Sequence, residues 1–227
     1  MFKSIKTGVV AIILISTAVI AKAQKVLDQG TITYGMQYAL TDEQKAAINE
    51  AMLPAETKIK FNGNISMIEM NMGAAMIKIF SDGLQHNSLF LVDIPVIQKQ
   101  YAAKLSKAEI DKQMGNITYS EFVNTGEKLV IAGYNTEKYT YKDNSGTSHE
   151  LWATNDIKLS AGALPYGLEA LKGATPIKYS SVQNGIKTTA TIKNIKEEKA
   201  GPFSLDVPKG YEEKTLAELQ AMQGGGQ

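Results

Sequence analysis

The chain has 227 residues, 44% of them hydrophobic, with 24 basic side chains against 23 acidic ones, two histidines and no cysteine. This near-neutral balance leaves no basic footprint for nucleic acid. The lack of cysteine removes disulfide staples, thiolate zinc sites and the anchor point of a lipoprotein; every basic residue is lysine, so the side chain best suited to bidentate capture of phosphate or carboxylate is missing too.

Lys3 and Lys6 precede an apolar run, Val9 to Ile20, which ends in the small-x-small pattern Ala21-Lys22-Ala23. That pattern predicts an export signal over residues 1–23, cleaved after Ala23. The expectation is an unanchored periplasmic protein with one domain over residues 24–223 and a flexible tail over 224–227. Loss of Lys3, Lys6 and Lys22 with the leader takes the formal charge from +1 to −2. No later apolar stretch approaches the roughly 20 residues of a spanning helix, so no stable membrane insertion is expected.

Most of the remaining chain reads as short strands divided by turn residues. Thr31 to Tyr38 alternates weakly. Asn62-Gly63-Asn64 joins Thr57–Phe61 to Ile65–Met72, and Asn-Gly suits the positive φ angles of a tight hairpin. Ser81-Asp82-Gly83 joins Ala75–Phe80 to Leu84–Val92. Ile117–Phe122 and Lys128–Ala132 read as two further strands. Asn144-Ser145-Gly146 then divides Asn135–Tyr141 from Thr147–Thr154, and Asn184-Gly185 divides Pro176–Val182 from Ile186–Ile195. Four such hairpins predict an antiparallel meander, because parallel strands need long crossovers. Asp156 to Leu164 reads as irregular.

Three helices are marked by capping boxes, in which Ser or Thr is followed three residues later by Glu or Gln. Thr41–Gln44 opens a helix running to Met52 before Pro54, Ser106–Glu109 opens one running to Met114, and Thr215–Glu218 opens the last. Pro165 to Lys172, with Gly173 as its stop, predicts a fourth. About ten strands and three or four helices give an α+β fold with a large antiparallel sheet, either closed into a barrel or open as a half-barrel with helices on its concave side.

The methionine-rich hairpin is the most unusual local feature. Ile68, Met70 and Met72 share a face by the two-residue period, and Met76 and Phe80 follow on the next strand. Methionine is flexible and polarisable, which suits a wall that adapts to varied apolar partners; a core covered by a helix has the same pattern. His86 beside a hairpin and His149 on a strand are the only histidines, so no metal site and no cofactor are expected. A hydrolase would need His149 between an acid and a nucleophile, and no Gly-x-Ser-x-Gly accompanies it. Trp152, Tyr139 and Tyr141 suggest either a sugar-stacking platform or a half-buried tyrosine ladder.

Several segments in order resemble an uncharacterised family of exported bacterial proteins. They are Lys60–Asn64 with Met67–Met70, Ser81–Gly83, Ile131–Tyr134, Glu150–Ile157, and Phe203–Tyr211 followed by the Leu-Ala-Glu-Leu helix. The family is similar in pattern to the lipoprotein carriers LolA and LolB. The resemblance implies an open, strongly curved sheet whose concave face is apolar and covered by helices. The resulting expectation is a non-enzymatic carrier for a lipid, acyl chain or lipidated partner. Ile68, Met70, Met72, Met76 and Phe80 are its candidate lining, and helices Asp42–Met52 and Ser106–Met114 its plug or lid. The alternatives are an envelope protein with a filled core that binds a protein partner, and a hydrolase using His149.

Overall fold

Turn chemistry sets the strand order. The computed structural model describes residues 24–224 apart from positions 49, 51, 52, 73, 74, 172 and 184; the expected export signal and residues 225–227 of the expected tail lie outside the described residues. Along the chain run β1 (Lys25–Leu27), β2 (Gln29–Ala39), α1 (Asp42–Ala47), β3 (Glu56–Asn62), β4 (Ile65–Met72), β5 (Ala75–Asp82), β6 (Asn87–Ile94), β7 (Lys99–Leu105), α2 (Lys107–Gln113), β8 (Tyr119–Ile131), β9 (Tyr134–Asp143), β10 (Ser148–Thr154), β11 (Ile157–Leu159), β12 (Thr175–Gln183), β13 (Ile186–Lys196), β14 (Glu212–Glu213) and α3 (Leu216–Gly224). No helix among them is long and apolar enough to cross a membrane.

Twelve strands form one open sheet in the order β14-β7-β6-β5-β4-β3-β2-β13-β12-β10-β9-β8. All its pairings are antiparallel except β14 with β7. Two meanders therefore meet where β2 pairs with β13: β2 to β7 runs to one edge, and β8 to β13 returns from the other. The fold is the expected open half-barrel, with more strands than the ten expected. β1 and β11 make a separate parallel pair, and β11 falls in the stretch that reads as irregular in sequence. The short β11 is held from outside: Ile157 and Leu159 are buried in the core at the β2–β13 junction, with Leu27, Ile32 and Phe61.

Three expected elements differ in extent or kind. The two strands at Ile117–Phe122 and Lys128–Ala132 are one long strand, β8. Its bulges, between Ser120 and Val123 and between Asn124 and Lys128, absorb the residues that break the alternation. The expected Pro165–Lys172 helix is a run of turns, closed by Leu168 N–H to Pro165 O, Leu171 N–H to Leu168 O and Ala174 N–H to Leu171 O. Gly167 sits at φ +81° and stops a right-handed helix as it starts. The first helix ends at Ala47, with Ile48 already extended at φ −114° and ψ 126°, and none of its residues is buried. An isolated turn of helix has no packing to extend it, whatever its cap. Its expected end at Met52 lies outside the described residues.

The caps themselves form as the sequence implies. Thr41 with Gln44 and Ser106 with Glu109 make reciprocal capping boxes, and Thr215 accepts from Glu218 N–H at 3.2 Å while Glu218 accepts from Thr215 N–H at 2.7 Å. Each such cap contributes about 1 kcal/mol.

Candidate functional site

Hairpin register decides which side chains meet on the concave face. The β4–β5 connection has two residues, so partners have opposite parity: Ile68 pairs with Ile79, Met70 with Ile77 and Ser66 with Ser81. β6 continues these rows, with Phe90 opposite Ile79, Val92 opposite Ile77 and Ser88 opposite Ser81. The concave wall is thus ruled into ranks. Ser66, Ser81 and Ser88 form one, Ile68, Ile79 and Phe90 the next, and Met70, Ile77 and Val92 the third. Successive ranks lie two residues apart, or roughly 6–7 Å.

The first two ranks, with Met70 of the third, bound a cavity of about 700 Å³, partly open to solvent. Tyr34, Met36 and Ile59 extend the wall toward the β2–β13 junction, and Tyr179 and Tyr141 carry it into the second meander. Tyr34 and Tyr179 meet edge to face with ring centroids 6.0 Å apart. Burial, reinforced by the neighbouring Tyr179, pushes the Tyr34 hydroxyl well above its ordinary value; burial takes Tyr179 up to about 12. Both phenols stay protonated, so the floor is neutral.

Three covers close over the wall. α2 contributes Ile110, Gln113 and Met114, the turns after Pro165 contribute Tyr166 and Leu168, and α3 contributes Leu216. α3 reaches the concave side because β14 has joined the β7 edge, and Leu219 is buried with Ile77, Tyr101 and Leu105. α1 is not among the lining elements; Gln44 hydrogen-bonds Gly185 O at 3.1 Å, which fixes it at the β12–β13 turn. Of the two helices expected as plug or lid, Ser106–Met114 lies over the cavity as α2, while the described part of Asp42–Met52 does not, and the Pro165 turns and α3 lie there instead.

The β5–β6 turn holds the polar end of the cavity. Asp82 accepts from Leu84 and Gln85 N–H at 2.7 and 2.8 Å, and His86 N–H donates to Asp82 O at 2.9 Å. A Cβ on Gly83 would come within 2.2 Å of Ala161 O, so the turn is wedged against the neighbouring backbone. His86 takes φ +52° and lies edge-on to Tyr166 at 5.1 Å. Tyr166 O–H donates to Asp111, which also accepts from Lys107 at 2.6 Å. The lysine and then the tyrosine hold the Asp111 carboxyl below its usual range.

The sequence-derived lining residues divide between two faces. Ile68 and Met70 line the cavity. Met76 and Phe80 do not share their face, because they pair with Asn71 and Met67. Phe80 instead packs with Leu205, Val207 and Tyr211 on the convex side. Met72 pairs with Ala75, and its side chain lies outside the described residues. Sequence reading missed Ile59, Ile79, Phe90 and Tyr34. The two-residue loop after Met72 was the available signal, since it fixes opposite parity across the hairpin.

His149 has a structural setting. Its Nε2 lies 2.8 Å from Asp143 Oδ2, and its ring stacks on Tyr141 at 5.2 Å. The Ser145 hydroxyl bonds Asp143 at 2.5 Å rather than His149, and together these contacts hold the Asp143 carboxyl far below its ordinary value. The pair closes the β9–β10 turn, and no serine among the described residues hydrogen-bonds the imidazole. Tyr141 belongs to an aromatic ladder with Phe122, stacked at 5.1 Å, and Tyr119. Trp152 pairs with Lys138 and Lys178, one residue out of step with Tyr139, so no joint Trp–Tyr platform forms. No group of three His, Asp or Glu side chains among the described residues is placed to hold a metal ion.

A second hollow of about 610 Å³ lies at the β8 edge, between Leu129, Val130, Asn135 and Asp156. No protein-family model matches the chain, and no curated protein matches it.

Proposed function

We propose that the protein is an exported, non-enzymatic carrier or binding protein for an apolar ligand, a lipid, acyl chain or lipidated partner, in a LolA-like half-barrel of the periplasm. The observation that carries this reading is the apolar cavity of about 700 Å³ between the curved sheet and its three covers. Burying an acyl chain there gains roughly 0.8 kcal/mol per CH₂. Methionine and isoleucine on the wall, with neutral phenols below, suit a flexible chain better than a rigid polar substrate. Native mass spectrometry of the purified protein, followed by solvent extraction, tests the reading. A bound lipid is expected, and ligand-free protein that takes up no lipid when offered it sinks the idea.

A second reading rests on the β8 edge. Val123, Leu129 and Val130 are all more than half exposed on a long terminal strand, and unpaired strand edges are templates for added strands. An envelope protein that pairs with β8 would make the chain an interaction module. Co-purification that depends on the β8 edge separates this reading from the first.

A further inference from the structure

The cavity is polar at one end and apolar at the other. Ser66, Ser81 and Ser88 lie side by side across three strands, with Ser81 and Ser88 hydroxyls 3.0 Å apart. Beside them His86 Nδ1 and Asn87 Oδ1 are buried without a hydrogen-bond partner among the described residues. Both residues line the cavity, as do the carboxylate residues Asp82 and Glu169, and no lysine among the described residues does. A buried polar atom left unpaired costs about 1–3 kcal/mol, and native proteins rarely leave two together.

We propose that this end is the head-group subsite of the ligand, and that it takes an uncharged, hydroxyl-bearing head group of the acylglycerol type in preference to a carboxylate or phosphate. The inference rests on the carrier reading and specifies its ligand. A hydroxyl both donates and accepts, so it matches the lining residues Asn87 and His86 whichever way the amide or the tautomer is set. The serine row offers further neutral partners of the same kind. A carboxylate only accepts. It would lie beside the Asp82 and Glu169 carboxylates, with no lysine among the described lining residues to offset them. The acyl chain then runs along the strands, past Ile68, Ile79 and Phe90 to Met70, where α3 contributes Leu216.

The test is the affinity of the purified protein for monooleoylglycerol and for oleate, below their aggregation limits at pH 8, in the wild type and in Asn87→Leu and Ser81→Ala. Monooleoylglycerol should bind about tenfold tighter, the equivalent of one hydrogen bond of ordinary strength. Asn87→Leu should erase most of that ratio while leaving oleate affinity within about twofold, and Ser81→Ala should reduce it by a smaller factor. Because the readout is a ratio, a misfolded variant is recognised by loss of both ligands, and Ser81→Ala then decides. Oleate binding as tightly as monooleoylglycerol overturns the head-group assignment and leaves the apolar cavity standing. An unchanged ratio in both variants overturns it as well. Failure of the wild type to bind either lipid removes the carrier reading and this inference together.

Discussion

The two meanders use the same antiparallel strands, but only one is apolar on both faces. In β4 to β7 the concave face carries Ile77, Tyr101 and Leu105 under α2 and α3. The convex face carries Leu89, Leu91 and Ala102 under the strap Leu205–Tyr211. In β8 to β10 only the concave side is covered, where Tyr141, Leu151 and Ala153 meet Leu168 and Leu171. The other face is charged, with Lys138 between Glu127 and Glu150 at 3.5 and 3.0 Å, and Lys142 on Glu121 at 2.7 Å. The β4–β7 half of the sheet is clad on both sides, and the ranked residues of the cavity wall stand on it. The charged half ends in the exposed β8 edge.

The contrast breaks most directly at matched leucines. Leu89→Ala, under the strap, should cost about 2–5 kcal/mol, since it leaves a hole in a filled layer. Leu129→Ala, on the half-exposed β8, should stay within about 0.5 kcal/mol. Equal losses in urea unfolding would abolish the distinction. Gly83→Ala should cost about 1–3 kcal/mol by forcing the β5–β6 turn off the Ala161 backbone, and the same melt should show it. Tyr211→Phe removes the hydroxyl that donates to Asp93 at 2.6 Å, a bond to a carboxylate worth about 1.5 kcal/mol. That variant reads how firmly the strap is tied to the clad half.

These contrasts were only partly legible in sequence. Asn-Gly, Asp-Gly and Ser-Gly turns mark the hairpins because they report backbone conformations that few residues adopt, and the capping boxes mark helix starts for the same local reason. Where an element ends is set by tertiary contact. α1 has a complete capping box and still stops at Ala47, since none of its residues is buried. β11 has no pattern of its own and exists because β1 lies beside it. The candidate site failed by parity. Met76 and Phe80 look equivalent to Met70 along the chain, yet a two-residue loop sends them to the convex face. The orphan pair at His86 and Asn87 gave no sequence signal, because burial of single atoms depends on the turn and on the Pro165 segment packing around it.

Smaller effects belong to the charged half. Lys138→Ala should leave the urea midpoint nearly unchanged, with any shift smaller at high salt. Asp143 supplies the pH dependence. Its carboxyl is held low by Ser145 and His149, so its stabilising contribution is fully present above the ordinary carboxylate value near pH 4 and is lost as pH falls below it. Acid unfolding of the wild type should therefore be steeper than that of Asp143→Asn, and matching pH profiles would remove the role assigned to that turn.

The central claim is that the clad half forms a wall for an acyl chain. The direct measurement is titration with a fluorescent acyl probe, comparing the wild type with Met70→Lys in the cavity and Val130→Lys on the β8 edge. The account predicts saturable one-to-one binding by the wild type, near-identical binding by Val130→Lys and loss of at least tenfold in affinity for Met70→Lys. Absence of saturable uptake by the wild type, or equal binding by a folded Met70→Lys variant, would contradict it.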